Sequence, residues 1–142
     1  MAKLCLVILV AAFLAGTTNG DSWCYELVVK TANGALSGTD ALVAFELYDS
    51  SGGAGVMRLI DGDGPLFSEG AIDKLTFYEQ QRIDMCHLGL RLVDSPLEKW
   101  ECEYVKVTAR KEGSVLMSAK EFPVNQWVVP GKRVQINLCN EE

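Results

Sequence analysis

The chain has 142 residues, of which 49 % are hydrophobic and 23 % are charged, so it provides one globular domain and no second independent core. Its 19 acidic residues outnumber its 13 basic ones, and the formal charge of -6 disfavours binding to nucleic acid or unaided attraction to anionic lipid. A single histidine, His87, leaves too few imidazoles for most metal-hydrolase and serine-hydrolase mechanisms. We therefore expect a protein that is not an enzyme.

The first 20 residues have the layout of a secretory signal peptide. Lys3 precedes an apolar run over residues 4–15, and small and polar residues follow as far as Gly20. The apolar run is shorter than the roughly 20 residues that a membrane-spanning helix needs. Cleavage is expected after Gly20, with Gly16 as an alternative, and the mature domain then covers residues 21–142. We expect this domain to be secreted or to reside in the lumen of the endoplasmic reticulum.

Segments of alternating apolar and polar residues follow one another along the mature chain. The segments assigned individually as strands are 25–29, 41–47, 86–92, 105–109, 115–119 and 134–138. Glycine, proline, asparagine and aspartate cluster between them, as is typical of turns. About seven or eight short strands in roughly 120 residues predict an all-β fold made of two packed antiparallel sheets.

Four cysteines remain after signal-peptide removal: Cys24, Cys86, Cys102 and Cys139. An even number in an oxidising compartment predicts two disulfides, for which three pairings are possible. Cys24 and Cys139 both lie on the polar face of their strands, so they are expected to pair if the first and last strands are neighbours. Cys86 and Cys102 would then form the second disulfide.

Several acidic residues lie in or beside loops that a β-sandwich can bring together at one end. They are Asp40, Asp61, Asp63, Glu69 and Asp73. Carboxylate oxygens contributed by loops are the ligands that calcium prefers, which makes a calcium site outside the EF-hand pattern a hypothesis. The alternative is that these residues form turns and keep the surface soluble, because aspartate is common where a chain reverses.

Large apolar residues next to proline in two turn regions suggest membrane contact. Trp127 precedes a Pro-Gly turn, and Leu66 and Phe67 follow Pro65. Exposed rings and leucines at loop tips can enter a lipid interface. The alternative is core packing, which is the usual location of large aromatic residues in a small domain.

Several short sequence motifs, in a fixed order along the chain, resemble those of a known family. They are Gly38-Thr39-Asp40, Phe45-Glu46-Leu47-Tyr48-Asp49, Phe67-x-x-Gly70-x-x-Asp73, Trp100-x-x-x-Tyr104-Val105-Lys106-Val107-Thr108 and Phe122-x-Val124-x-Gln126-Trp127. The set resembles the PLAT domain, named for polycystin, lipoxygenase and alpha-toxin. Within that family it looks like the small secreted plant stress proteins that consist of this domain alone, and the resemblance covers the whole mature chain.

The resemblance implies an eight-stranded antiparallel β-sandwich that binds membrane lipid or protein partners without catalysis, in several family members through calcium. By position, Asp40 is the first candidate for a calcium ligand. The segment 50–65 departs from the plant members because it is rich in glycine and poor in aromatic residues. In the single-domain plant proteins the family suggests a role in stress tolerance, and we expect a monomer with no nucleic-acid partner.

Two other functions remain open from the sequence. One is a metal-independent protein-interaction or structural protein of the cell wall or secretory lumen, which aromatic clusters exposed on a sheet face and not at loop tips would favour. The other is a hydrolase or a ligand-carrying barrel, which an internal apolar cavity with converging polar groups would favour.

Overall fold

The protein is an all-β sandwich of eight strands. The structure, a computed structural model, describes residues 22–51, 55–62, 66–115 and 117–140. The strands are β1 (Trp23–Thr31), β2 (Leu42–Tyr48), β3 (Gly55–Asp61), β4 (Ile72–Glu79), β5 (His87–Val93), β6 (Trp100–Lys111), β7 (Met117–Val128) and β8 (Val134–Asn137). This architecture confirms the predicted fold class. The predicted signal peptide and Asp63 lie outside the described residues, and within the described ranges no helix has the length and hydropathy needed to cross a bilayer.

The strands form two four-stranded antiparallel sheets, with the orders β4-β1-β6-β7 and β3-β2-β5-β8. The connections β1–β2, β3–β4, β5–β6 and β7–β8 lie at one end of the sandwich, which we call the upper pole. The connections β2–β3, β4–β5 and β6–β7 and the chain after β8 lie at the opposite end, the lower pole. The topology therefore gathers residues that are far apart in sequence at each pole.

The core lies between the sheets and is built from the alternating apolar positions of both. On β2, for example, Val43, Phe45 and Leu47 are completely buried. Trp100 at the start of β6 packs against Phe45, with ring centroids 6.2 Å apart, and its indole N–H donates a hydrogen bond to Thr31 Oγ1 at 3.0 Å. Because the polar end of Trp100 is satisfied, this large residue can be buried without leaving a donor unpaired.

One flank of the sandwich, where the edge strands β3 and β4 meet, is closed by a single arginine. Arg58 of β3 forms an ion pair with Glu79 of β4, and its guanidinium lies 4.7 Å from the centre of the Phe77 ring. The pair joins the two sheets across their edges. Arg58 occupies a core-facing position by parity, so the edge of the core is capped by a charged group that remains partly exposed.

The outer face of the second sheet contains a buried carboxylate held by two arginines. Glu46 is 6 % exposed, accepts a hydrogen bond from Arg91 Nε at 3.0 Å and pairs with Arg133. The Tyr48 hydroxyl donates to the same carboxylate at 2.9 Å. A Cβ at Gly89 would lie 2.8 Å from Arg133 Nε, so glycine is needed for Arg133 to cross the sheet. The network ties the start of β8 to β2.

The predicted disulfide pairing is wrong. Cys139 is bonded to Cys86, with the two Cα atoms 4.7 Å apart, and not to Cys24. The premise of the prediction fails because β1 and β8 belong to different sheets, whereas β8 pairs with β5. The backbone confirms this proximity, since Leu138 N–H donates to the Cys86 carbonyl at 2.7 Å.

Cys102 does not pair with Cys86 and is a free, fully buried thiol. The register of β6 shifts between Cys102 and Tyr104, which marks a β-bulge. The bulge changes the alternation, so that Cys102 faces the core together with both Trp100 and Val105. Burial raises the pKa of the Cys102 thiol well above its ordinary value, which keeps it protonated and unreactive.

Candidate functional site at the upper pole

Hydrogen bonds hold three of the upper-pole connections together. Thr39 N–H donates to the Phe67 carbonyl at 3.0 Å, and the Thr39 hydroxyl donates to Glu98 Oε2 at 3.0 Å. A Cβ at Gly38 would lie 2.9 Å from the Phe67 carbonyl oxygen, so only glycine allows the β1–β2 and β3–β4 connections to approach this closely. The upper pole is therefore a packed group of loops.

An open depression of about 320 Å³ lies between these connections. Its lining includes the carboxylates of Asp40, Glu69 and Glu98 and the side chain of Leu36. Asp40 and Glu69 are exposed, whereas Glu98 is half-buried and accepts the hydrogen bond from Thr39. The depression combines acidic groups with one exposed aliphatic side chain.

The predicted calcium ligands are placed at this pole as far as the structure describes them. Asp40 and Glu69 line the depression, and Asp61 ends β3 at the same pole. Asp73 stabilises the β3–β4 connection, because its carboxylate accepts a hydrogen bond from Phe67 N–H at 2.8 Å. Among residues 22–51, 55–62, 66–115 and 117–140, no group of three or more His, Cys, Asp or Glu side chains is arranged to hold a metal ion. Calcium binding thus stays a prediction.

The membrane-contact prediction is wrong for Phe67. This residue is completely buried, and its ring lies 5.2 Å from that of Trp100 and 5.9 Å from that of Phe45. Its positive φ of 57° belongs to a tight turn. Leu66 is partly buried against the core, and Trp127 is half-buried with the Lys99 ammonium 4.6 Å above its ring.

Two leucines that the sequence analysis did not single out are highly exposed in loops of the upper pole. Leu36 in the β1–β2 connection is 78 % exposed, and Leu97 in the β5–β6 connection is 97 % exposed. Leu36 adopts a φ of 64°, a left-handed conformation that costs a residue with a side chain about 1–2 kcal/mol. The available signal was an aliphatic residue inside a turn sequence: Leu36 lies two residues before Gly38, and Leu97 directly follows Pro96.

The eight antiparallel strands in two packed sheets, with connected loops at one end, define a β-sandwich module. The PLAT/LH2 domain model matches residues 25–138, and the chain belongs to that family. PLAT domains are non-catalytic modules that mediate association with membrane lipid or protein in homologues. The comparison with curated proteins gives no match.

Several solved structures share the fold. Alpha toxin from Clostridium absonum is 20 % identical, with a TM-score of 0.65 over 90 % of this chain and 36 % of the toxin. A LOX deletion variant is 17 % identical, with a TM-score of 0.63 over 82 % of this chain and 16 % of the enzyme. Coral 8R-lipoxygenase, described as activated by calcium through a C2-like domain, is 18 % identical, with a TM-score of 0.60 over 80 % of this chain and 16 % of the enzyme. This chain therefore spans about a third or less of the proteins it resembles.

Proposed function

We propose that this protein associates with membrane lipid through its upper pole and carries out no turnover. The observation that carries the proposal is the placement of Leu36 and Leu97, two exposed aliphatic side chains on separate loops at the same end of the sandwich. Full burial of a leucine side chain contributes about 1.5–3 kcal/mol. Two leucines therefore provide a weak and reversible anchor that needs an electrostatic contribution to become stable.

We propose calcium as the source of that contribution. Asp40 and Glu69 at the depression supply hard oxygen atoms, the donor type that calcium prefers, and the phosphate of a lipid headgroup would complete the coordination of the bridging ion. Without a cation these carboxylates, in a chain of net charge -6, repel anionic headgroups. Binding to anionic vesicles is accordingly expected to require calcium.

Vesicle co-sedimentation tests both parts of the proposal. Phosphatidylcholine vesicles with and without phosphatidylserine are used, each with calcium and with chelator. We expect partition into phosphatidylserine vesicles with calcium, weakened about tenfold or more in L36S/L97S because two apolar contacts are lost. M57S/L59S is the matched control, since it removes two exposed apolar side chains from a sheet face away from the pole.

The outcomes separate the parts of the proposal. Equal binding by L36S/L97S and by the control variant would exclude the upper pole as the membrane contact. Equal binding with calcium and with chelator would exclude the calcium requirement, and D40N/E69Q should then bind like the unsubstituted protein. No sedimentation under any condition would exclude the membrane function.

A second candidate function is metal-independent association with a protein partner. It is favoured by Met57 and Leu59, neighbours on the outer face of β3 that are 49 % and 50 % exposed. Arg91 Nη2 lies 3.8 Å from Met57 Sδ, so the patch combines apolar and cationic groups. Retention of a partner by L36S/L97S and its loss in M57S/L59S would favour this function over membrane binding.

We further propose that the protein acts outside the cytosol, in the apoplast or the secretory lumen, as a monomer without nucleic acid. The Cys86–Cys139 disulfide supports an oxidising compartment. A role in plant stress tolerance is proposed from the family resemblance alone. Fractionation of the native protein between apoplastic fluid and microsomes tests the location, and recovery in the cytosol would contradict it.

A further inference from the structure

The lower pole contains a cavity that the proposed membrane function does not use. Strands β6 and β7 have 12 residues each, whereas no strand of the other sheet has more than seven. At the lower pole the inner side chains of β6 and β7 face the β4–β5 connection, which contributes Ile83 and Met85, and no strand of the second sheet lines the space. A gap remains between the long strands and this connection.

The gap has two parts with common walls. The inner part, about 70 Å³, is lined by Tyr25, Met85 and Val107 among others. The outer part is a recess of about 270 Å³ that is lined by Trp23, Met117 and Arg82. Ala109 and Ser118 line both parts. The inner part is about equally polar and apolar, whereas the outer part is mainly apolar and includes an indole and a thioether.

Two cationic side chains line this cavity. Lys120 lies opposite Val107 in the β6–β7 register, so both side chains are on the inner face of the sheet, and Lys120 lines the inner part. In the described part of the chain its ammonium has no carboxylate within 4.0 Å. The Arg82 guanidinium lies 5.5 Å from the centre of the Trp23 ring.

The acidic group at the site offsets only one of these two cations. Asp84 is the carboxylate that lines the inner part, its side chain is 92 % exposed, and it lies 4.0 Å from Arg82. The Tyr25 hydroxyl is already engaged, since it accepts from Ile83 N–H at 2.8 Å and donates to the Gln81 carbonyl at 3.3 Å. The unsatisfied charge at the site is therefore positive, although the whole chain is acidic.

We propose that this space, the lower-pole recess, binds a small organic anion with a compact apolar body, of the aromatic or short aliphatic carboxylate class. The apolar body lies against Trp23 and Ala109 in the outer part, and the carboxylate meets Lys120 in the inner part. Arg82 in the outer part adds a second positive charge. An apolar pocket with a few convergent polar groups is the usual form of a small-molecule site. The volumes exclude a long acyl chain from the inner part, and the charge disfavours an amine.

The matched probes for the test are 1-naphthoate and 1-naphthylmethylamine, which share one ring system and carry opposite charges. Binding is followed by amide chemical shifts in two-dimensional NMR of the full mature chain. We expect saturable shifts with 1-naphthoate at Ala109, Ser118 and Lys120, with a dissociation constant of about 1 mM or tighter for a ligand of this size. The amine should give no saturable shifts there.

Two substitutions locate the site. K120Q should weaken 1-naphthoate binding about fivefold, the upper range for a partly exposed ion pair. K106Q is the matched control, because Lys106 is exposed on the opposite face of β6 and its loss removes the same charge. S118L should block the shared wall, and its melting temperature shows whether the fold is kept.

Each outcome decides the proposal. The proposal is overturned if the two probes bind equally or if K120Q and K106Q have equal effects. It is also overturned if the shifts are scattered away from the lower pole, or if binding does not saturate up to about 5 mM. If S118L does not fold, the comparison of probes and of the two lysine variants still decides. None of these measurements involves Leu36 or Leu97, so failure here leaves the membrane proposal standing.

Discussion

The two poles of the sandwich are built in different ways. At the upper pole, backbone and side-chain hydrogen bonds join loops into a packed rim, with acidic groups and two exposed leucines at its surface. At the lower pole, long strands face a single connection, and a mainly apolar gap with two cationic groups remains between them. Packing of the loops thus produces a contact surface at the upper pole, whereas unequal strand lengths produce a cavity at the lower pole.

The largest expected effect concerns the covalent bond at the lower pole. Replacing both Cys86 and Cys139 by serine should lower the free energy of unfolding by about 4 kcal/mol, because the bond constrains a loop closed over a sequence separation of 53 residues. Urea unfolding measures the loss. Hydrogen exchange should accelerate first around β8 and the β4–β5 connection, and equal acceleration at both poles would contradict a difference between them.

A second prediction concerns the Glu46 network that ties β8 to β2 between the poles. Burial alone would raise the pKa of Glu46, but hydrogen bonds from Arg91 and Tyr48 and the charge of Arg133 outweigh it, so the pKa is lowered. The corresponding stability is present above the ordinary glutamate pKa and is lost as the pH falls through the lowered value. E46Q should destabilise the protein by about 2 kcal/mol at neutral pH and lose this part of the acid dependence.

The role of Glu46 is measured by thermal unfolding from about pH 2 to about pH 7. The matched control is E26Q, which removes a half-buried carboxylate on the outer face of the first sheet, outside the arginine network. Parallel pH profiles of E46Q and the unsubstituted protein would show that the network contributes nothing.

The packing of the upper pole is tested by Gly38→Ala. The new methyl group would approach the Phe67 carbonyl oxygen and Glu69 N to within 3.0 Å, which forces the two loops apart and should cost about 1–3 kcal/mol. Unfolding in urea gives the value, and Gly34→Ala is the control, because its nearest contact is a side-chain oxygen at 3.5 Å. Equal stability of the two variants would mean that the loops are not packed as described.

The smallest expected effect has the opposite sign. Leu36→Gly removes the left-handed strain of a residue that is mostly exposed and should stabilise the protein by about 1 kcal/mol at most, because the unfolded chain also gains freedom. The same variant should bind vesicles more weakly. A loss of stability would show that Leu36 packs against the rim and is not held for contact with another surface.

Alternation of apolar residues was sufficient to predict the fold class and the central strands. On β2 and β5, which have neighbours on both sides, every core-facing apolar residue is buried, and the outward-facing Ala44, Glu46 and Gly89 are buried as well. The edge strands β3 and β4 were not assigned individually. Their alternation does not match burial, since Met57 and Leu59 are apolar but point outward, and Arg58 points toward the core edge.

The errors have physical causes that alternation does not encode. Parity tells which face of a strand a cysteine occupies, but not which strands become neighbours, so the partner of Cys139 was misassigned. The bulge in β6 breaks the alternation of the strand, so the core-facing orientation of Cys102 does not follow from the parity of Val105 and Val107. For Phe67, which follows a turn sequence, the sequence left membrane contact and core packing open, and the turn directs the ring under Trp100. The exposed leucines were missed because hydropathy alone predicts burial.

The buried Cys102 has a consequence for how the chain matures. In the folded protein Cys102 provides no thiolate that could attack the Cys86–Cys139 bond at the opposite pole, so it does not promote disulfide exchange even where oxidants are present. During synthesis the same sulfur is accessible until β6 docks between β1 and β7. Correct maturation in an oxidising compartment thus requires that the sheet closes over Cys102 faster than mispaired species accumulate, and replacing it with valine should raise the yield of native protein.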